Sequence, residues 1–133
     1  WYNIRSYGAH EVGLALHPSH EAARYLARSL LELQNADGGW PPVQGVESTA
    51  AATGMALALL AFYLPVEHSR MARALRFLLE QQEPSGAWNG LLQMYVPRPF
   101  GIEYPMQVHA LAAHGLAAVL RAARAPLLSL KGA

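Results

Sequence analysis

Glu47 in "GVES" and Glu103 in "GIEY" occupy parallel contexts, each just ahead of an apolar segment, and His10 lies among small and apolar residues. A carboxylate at the start of a helix is favoured by the helix dipole and can accept from free N–H groups, so capping is the first role open to Glu47 and Glu103. Proton transfer is the second. His10 offers a similar choice, between a hydrogen-bonded core imidazole and a base. His109 and His114 are five residues apart, which places them on different faces of a helix. With no His-Glu-x-x-His string and no cysteine, no metal site is expected, and thiolate chemistry and disulfides are excluded. The one aspartate, Asp37, sits in a turn. A strong acid built from carboxylates that shift one another's pKa therefore cannot be assembled from this chain alone.

The elements that must position these groups repeat. At an offset of 48 residues, His20 matches His68, Arg28 matches Arg76, and Leu30-Leu31-Glu32 matches Leu78-Leu79-Glu80. Gln34, Gly38 and Trp40 then match Gln82, Gly86 and Trp88. Before each Gly-Trp loop the pattern is that of a half-wet helix. Ala22, Leu26, Leu30 and Leu33 form one stripe in the first copy, and Met71, Leu75, Leu78 and Leu79 face inward in the second. Ser19 is the expected N-cap of the first, and Arg76 can pair with Glu80 in the second. Segments 49–64 and 106–120 are apolar nearly all round, which predicts enclosed helices. The first falls short of the roughly 20 residues a membrane span needs.

The chain thus predicts five helices: enclosed at 8–16, amphipathic at 19–34, enclosed at 48–64, amphipathic at 67–82 and enclosed at 104–123. This is an all-α architecture of two layers, with no sustained period-two alternation. Ala50, Ala51, Ala52, Gly54, Ala56 and Ala58, and the Ala and Gly residues of 110–118, let inner backbones approach closely. Gly38-Gly39 and Gly86 supply positive φ at the helix exits. Each Trp then folds back as an apolar plug whose indole N–H, like the Gln side chain, seeks a carbonyl or helix end.

Composition sets further bounds. The 133 residues are 53% hydrophobic, enough for a core in a single domain, and a net charge of +1 gives no footprint for nucleic acid. The chain opens on Trp1 and shows no leader, so it is expected to be a piece of a longer protein.

The twice-occurring Gln-x-x-x-Gly-x-Trp resembles the QW repeat of squalene-hopene and oxidosqualene cyclases, the class II triterpene cyclases. Trp1, Tyr7, Gly8 and Val12 are similar to that family's Trp-x5-Tyr-Gly-x3-Val stretch. Ser48, Thr49, Thr53, Ala56 and Leu57 resemble one of its inner helices, and Phe100, Tyr104, Met106 and His109 resemble its Phe-x-Leu-x-Tyr-x-Met-Tyr-Arg-His pattern. Departures occur at Pro41-Pro42, at Gln107-Val108 and along Ala51-Ala52 and Gly54-Met55, so the resemblance does not fix the product.

The resemblance implies the C-terminal part of an α/α toroid that cyclises a linear polyprene such as squalene through carbocations, without metal or cofactor. Its Asp-x-Asp-Asp acid would lie outside this chain. It further implies Tyr7, Phe100 and Tyr104 as substrate-facing aromatics, because π faces stabilise a cation by about 0.5–2 kcal/mol each. Tyr63 and Tyr95 would be structural, and His10, Glu47 or Glu103 could take the final proton. A monotopic position on the cytoplasmic face of a membrane, and a homodimer, are implied through the parent protein. Exposed cut edges of the inner layer are expected if the chain stands alone. A class II diterpene cyclase segment and a non-catalytic α/α repeat domain remain alternatives. A prenyltransferase β subunit would need a zinc-binding Cys that is absent, and a glycan-active toroid would need paired carboxylates that Glu47 and Glu103 do not supply.

Overall fold

A run of small and apolar residues from Ala50 to Leu60 forms the centre of the molecule. In the computed structural model, which describes residues 5–95, 99–103 and 105–130, this helix has all eleven residues buried. In chain order the elements are α1 (Arg5–Ala15), α2 (Glu21–Leu33), α3 (Ala50–Leu60), α4 (Ser69–Glu80), β1 (Leu91–Tyr95), β2 (Pro99–Glu103) and α5 (Pro105–Ala122). The five expected helices are all present. α1 and α5 pack along α3, while α2 packs on α1 and α3 and α4 packs on α3. The α3–α5 contact is the most extensive.

That contact depends on two glycines. A Cβ on Gly54 would fall 2.6 Å from the carbonyl carbon of Leu111 and 2.7 Å from the Cα of Ala112. One on Gly115 would fall 2.7 Å from the Cα of Gly54. The two backbones touch directly, a separation that no side chain allows.

The outer helices are amphipathic, with stripes slightly rotated from those expected. On α2 the buried residues are Ala23, Ala27, Leu30 and Leu33, while Ala22 and Leu26 are only half-buried. On α4 they are Met71, Ala74, Phe77 and Leu78, and Leu79 points outward, 64% exposed. In the doublet Leu78-Leu79 both cannot face one core, because neighbours on a helix are about 100° apart. Arg76 and Glu80 form no ion pair, consistent with the small gain such exposed pairs offer.

Helix starts are set by side chains other than those expected. His20, not Ser19, caps α2, its Nδ1 accepting from Ala22 N–H at 3.2 Å. His68 caps α4 in the same way, accepting from Arg70 N–H at 3.3 Å. Thr49 caps α3 by accepting from Ala52 N–H at 3.1 Å. The repeat therefore extends to its caps.

The outer ends of the inner layer are open. α1 and α5 were expected to be enclosed, yet α5 buries one stripe, Val108, Ala112, Gly115, Ala118 and Val119, and leaves Met106 82% and Leu120 71% exposed on the opposite side. Val12 of α1 is likewise exposed. Met106 and Leu120 thus give α5 an exposed apolar surface, as Val12 does on α1.

Between α4 and α5 lies an element absent from the helical reading, an antiparallel hairpin in which Leu91 pairs with Glu103, Gln93 with Gly101 and Tyr95 with Pro99. Its pattern, "LLQMY", does not alternate, which hid it from a period-two search. After α5 the chain turns back across the end of α3. Leu128 N–H donates to Phe62 O at 2.7 Å, and Arg28 Nε reaches Leu130 O at 2.8 Å, tying the tail to α2.

Candidate functional site

The two Gly-Trp loops form corners with the same internal bonds. Trp40 Nε1 donates to Leu30 O at 2.6 Å, and Trp88 Nε1 to Leu78 O at 2.7 Å. Gln34 Nε2 donates to Gly38 O at 2.8 Å, as Gln82 Nε2 does to Gly86 O. Backbone bonds follow suit: Asn35 N–H to Gly39 O matches Glu83 N–H to Ala87 O. Gly38 and Gly86 lie at φ 91° and 84°, the left-handed exit that glycine adopts without strain. Gly39 does not share it. What that residue offers is space, since a Cβ there would lie 2.5 Å from Ser48 Cβ and 2.9 Å from Phe77 Cε1.

The first corner is held by more bonds than its motif residues provide. Thr53, fully buried on α3, accepts the backbone N–H of Trp40 at 2.9 Å. Asp37 Oδ1 accepts from Gly39 N–H and from Ser48 Oγ, both at 2.9 Å. Asp37 is thus committed to the turn. The opening turn of α4 closes the corner from outside: Gln34 Nε2 donates also to Arg70 O at 2.8 Å, Arg70 reaches Leu31 O at 2.5 Å, and Arg73 reaches Asn35 O at 2.8 Å. The arginine clasp escaped the sequence reading because it lies 36 to 39 residues from its partners.

His10 is a buried titratable group, 6% exposed. Its Nδ1 lies 3.0 Å from Glu11 Oε1, so Nδ1 carries the proton and Nε2 the lone pair. Nε2 is buried and has no hydrogen-bond partner. Burial lowers the His10 pKa below 6.5, opposed by the hydrogen bond and charge of Glu11 and reinforced by His114. The His114 ring meets it edge-on, centroids 5.5 Å apart at 89°. His10 and His114 therefore join α1 to α5 beside α3. Only the spacing of His109 and His114 was legible in sequence; that one of them meets His10 was not. His109 instead lies against Trp88, ring centroids 5.5 Å apart.

The other expected site residues fall as follows. Tyr7 lies in the first turns of α1, half-buried against the core rather than ahead of the helix. Phe100 is a β2 residue, paired with Met94, and Tyr104 lies outside the described residues. Glu47 is exposed and does not cap α3, a role Thr49 fills, and Glu103 ends β2 rather than opening a helix. The side chains that meet His10 are those of Glu11 and His114. Tyr63 is structural in its bonding, its hydroxyl donating to Pro18 O. Tyr95 is the last residue of β1.

Two adjoining hollows of about 200 Å³ each lie at the C-terminal ends of α3 and α5, both bordered by Ala61, Ala122 and Leu127. Each is smaller than the roughly 300–1,000 Å³ of a usual small-molecule pocket. Among the described residues no three His, Cys, Asp or Glu side chains gather as a metal set, and no helix is long and apolar enough to cross a membrane. The chain matches no protein-family model and no curated protein sequence.

Proposed function

We propose that this chain is the C-terminal portion of a squalene-hopene-cyclase-like class II terpene cyclase, an arc of an α/α toroid that holds part of the cavity wall while the initiating acid lies elsewhere in the parent protein. The observation that supports it is the pair of Gln-Gly-Trp corners, which repeat side chain for side chain and bond for bond. The parent would sit on the cytoplasmic face of a membrane, as a homodimer, and take a linear polyprene such as squalene.

Within that reading His10 is favoured over Glu47 and Glu103 as the base for the final proton loss. It is buried, held neutral, and its Nε2 lone pair is unspent, whereas Glu47 is exposed to water that would quench a cation. Tyr7, Phe100 and Tyr104 would offer π faces to the cation.

A second reading, a non-catalytic α/α repeat domain, is favoured by one specific observation. α3 has all eleven residues buried, so it has no face left to line a hollow. Assay of the full-length parent with squalene and with geranylgeranyl diphosphate, followed by analysis of the hydrocarbons formed, separates the two. Cyclic product from either supports the cyclase; turnover of neither leaves the repeat domain.

A further inference from the structure

His10 has one ring nitrogen spent and one unspent. Glu11 Oε1 lies 3.0 Å from Nδ1 and holds the proton there, which leaves a lone pair on Nε2. That nitrogen is buried without a hydrogen-bond partner, in a residue 6% exposed. Buried polar atoms are as a rule satisfied, because an unmet acceptor costs the desolvation of its lone pair. An electron-pair acceptor suits this atom.

The ring that meets it is a second imidazole. α1 and α5 both pack along α3, and His10 and His114 meet beside it with ring centroids 5.5 Å apart and planes at 89°. Two imidazoles sharing one tetrahedral ion, at N–metal distances of about 2.0–2.1 Å, have centroids roughly 5 Å apart. The pair is therefore close to the spacing that a shared cation imposes. His114 is exposed, so its ring can turn to complete the fit and offers the way in from solvent. Glu11 adds an outer carboxylate, which in metal sites fixes the tautomer and orientation of a ligating imidazole and raises its basicity.

We propose that His10 Nε2 and His114 together bind one imidazole-seeking divalent cation of the zinc type, with Glu11 as the carboxylate behind His10. Two protein ligands are fewer than the four of a structural zinc site, so the ion loads and leaves rather than staying fixed. When bound it ties α1 directly to α5. The inference does not rest on the cyclase reading and competes with one part of it: a cation on Nε2 occupies the lone pair that a departing proton would need.

Zinc chloride titrated calorimetrically into the full chain near neutral pH, with thermal unfolding recorded at each zinc level, tests the site. One ion per chain is expected, and the unfolding midpoint should rise with zinc because the ion binds the folded state. Glu11→Gln should weaken binding by about 10–100-fold, and His114→Asn by more than that. His114 is exposed, so its variant should keep the parent circular dichroism and carries the test even where His10→Asn fails to fold. His109→Asn, at the ring that lies against Trp88, should bind as the parent does. Absence of saturable zinc binding overturns the inference. So does binding that survives His114→Asn, which would place the ion on exposed imidazoles such as those of His17 and His20.

Discussion

Trp40 donates its indole N–H to the carbonyl of Leu30, ten residues earlier, at 2.6 Å, and neither the ring nor Leu30 is accessible to water. The bond turns the end of α2 back on itself and plugs the corner in one step. Trp40→Phe keeps most of the apolar volume but orphans a buried carbonyl, which costs about 1–3 kcal/mol. Trp88→Phe makes the same chemical change at the second corner, where Gln82 is exposed and Gly86 half-buried, so a smaller loss is expected. Urea unfolding curves of the two variants should rank in that order, and equal losses would contradict the difference in enclosure.

The closeness of α3 and α5 predicts an opposite pair of glycine effects. Gly54→Ala or Gly115→Ala places a methyl group against backbone that cannot move aside as a side chain would, so the helices must separate, at about 3 kcal/mol or more. Gly8→Ala adds a methyl group where nothing lies within 4 Å, in the helical backbone of α1, and should stabilise by up to about 1 kcal/mol. Thermal unfolding would show midpoints moving in opposite directions.

Thr53 is the point at which the inner layer holds the corner. Thr53→Val preserves shape while leaving the Trp40 backbone N–H without its acceptor inside a dry contact. A loss of about 1–3 kcal/mol is expected. Amide exchange at Trp40 should speed up more than at Thr49, whose N–H goes to the Trp40 carbonyl rather than to the hydroxyl.

The helices and corners were legible because local chemistry fixes them. Positions 34, 38 and 40 specify a helix exit, a left-handed turn and a plug wherever they occur, and their return at 82, 86 and 88 makes the pattern certain. What local pattern could not carry was context. Leu79 reads as core because it adjoins Leu78, yet no outer helix among the described residues covers it as α4 covers Leu31. Met106 and Leu120 likewise belong to an apolar helix but stay exposed. Of the candidate site, His10 could be singled out from its apolar surroundings, but its meeting with His114 joins helices about a hundred residues apart, and the hairpin before α5 has no alternation to announce it.

The burial of His10, with His114 against it, makes stability depend on acid. Burial holds the His10 pKa below its ordinary 6.5, so between the folded value and 6.5 the unfolded chain binds more protons than the folded one. Stability therefore rises with pH through that window: the full contribution is present above about 6.5 and is lost as pH falls toward the folded value. The groups facing His10 are Glu11 on its own helix, which supports the charged form, and His114 on α5, which opposes it; α3 presents no titratable side chain. Glu11→Gln should thus lower the folded pKa and steepen the acid loss, while His114→Asn should soften it. His10→Asn should remove this part of the pH dependence altogether. Unfolding free energies measured from pH 7.5 to 5 in the parent and the three variants would reveal the order, and a parent whose stability does not fall as pH drops below 6.5 would mean that Glu11, not burial, governs the imidazole.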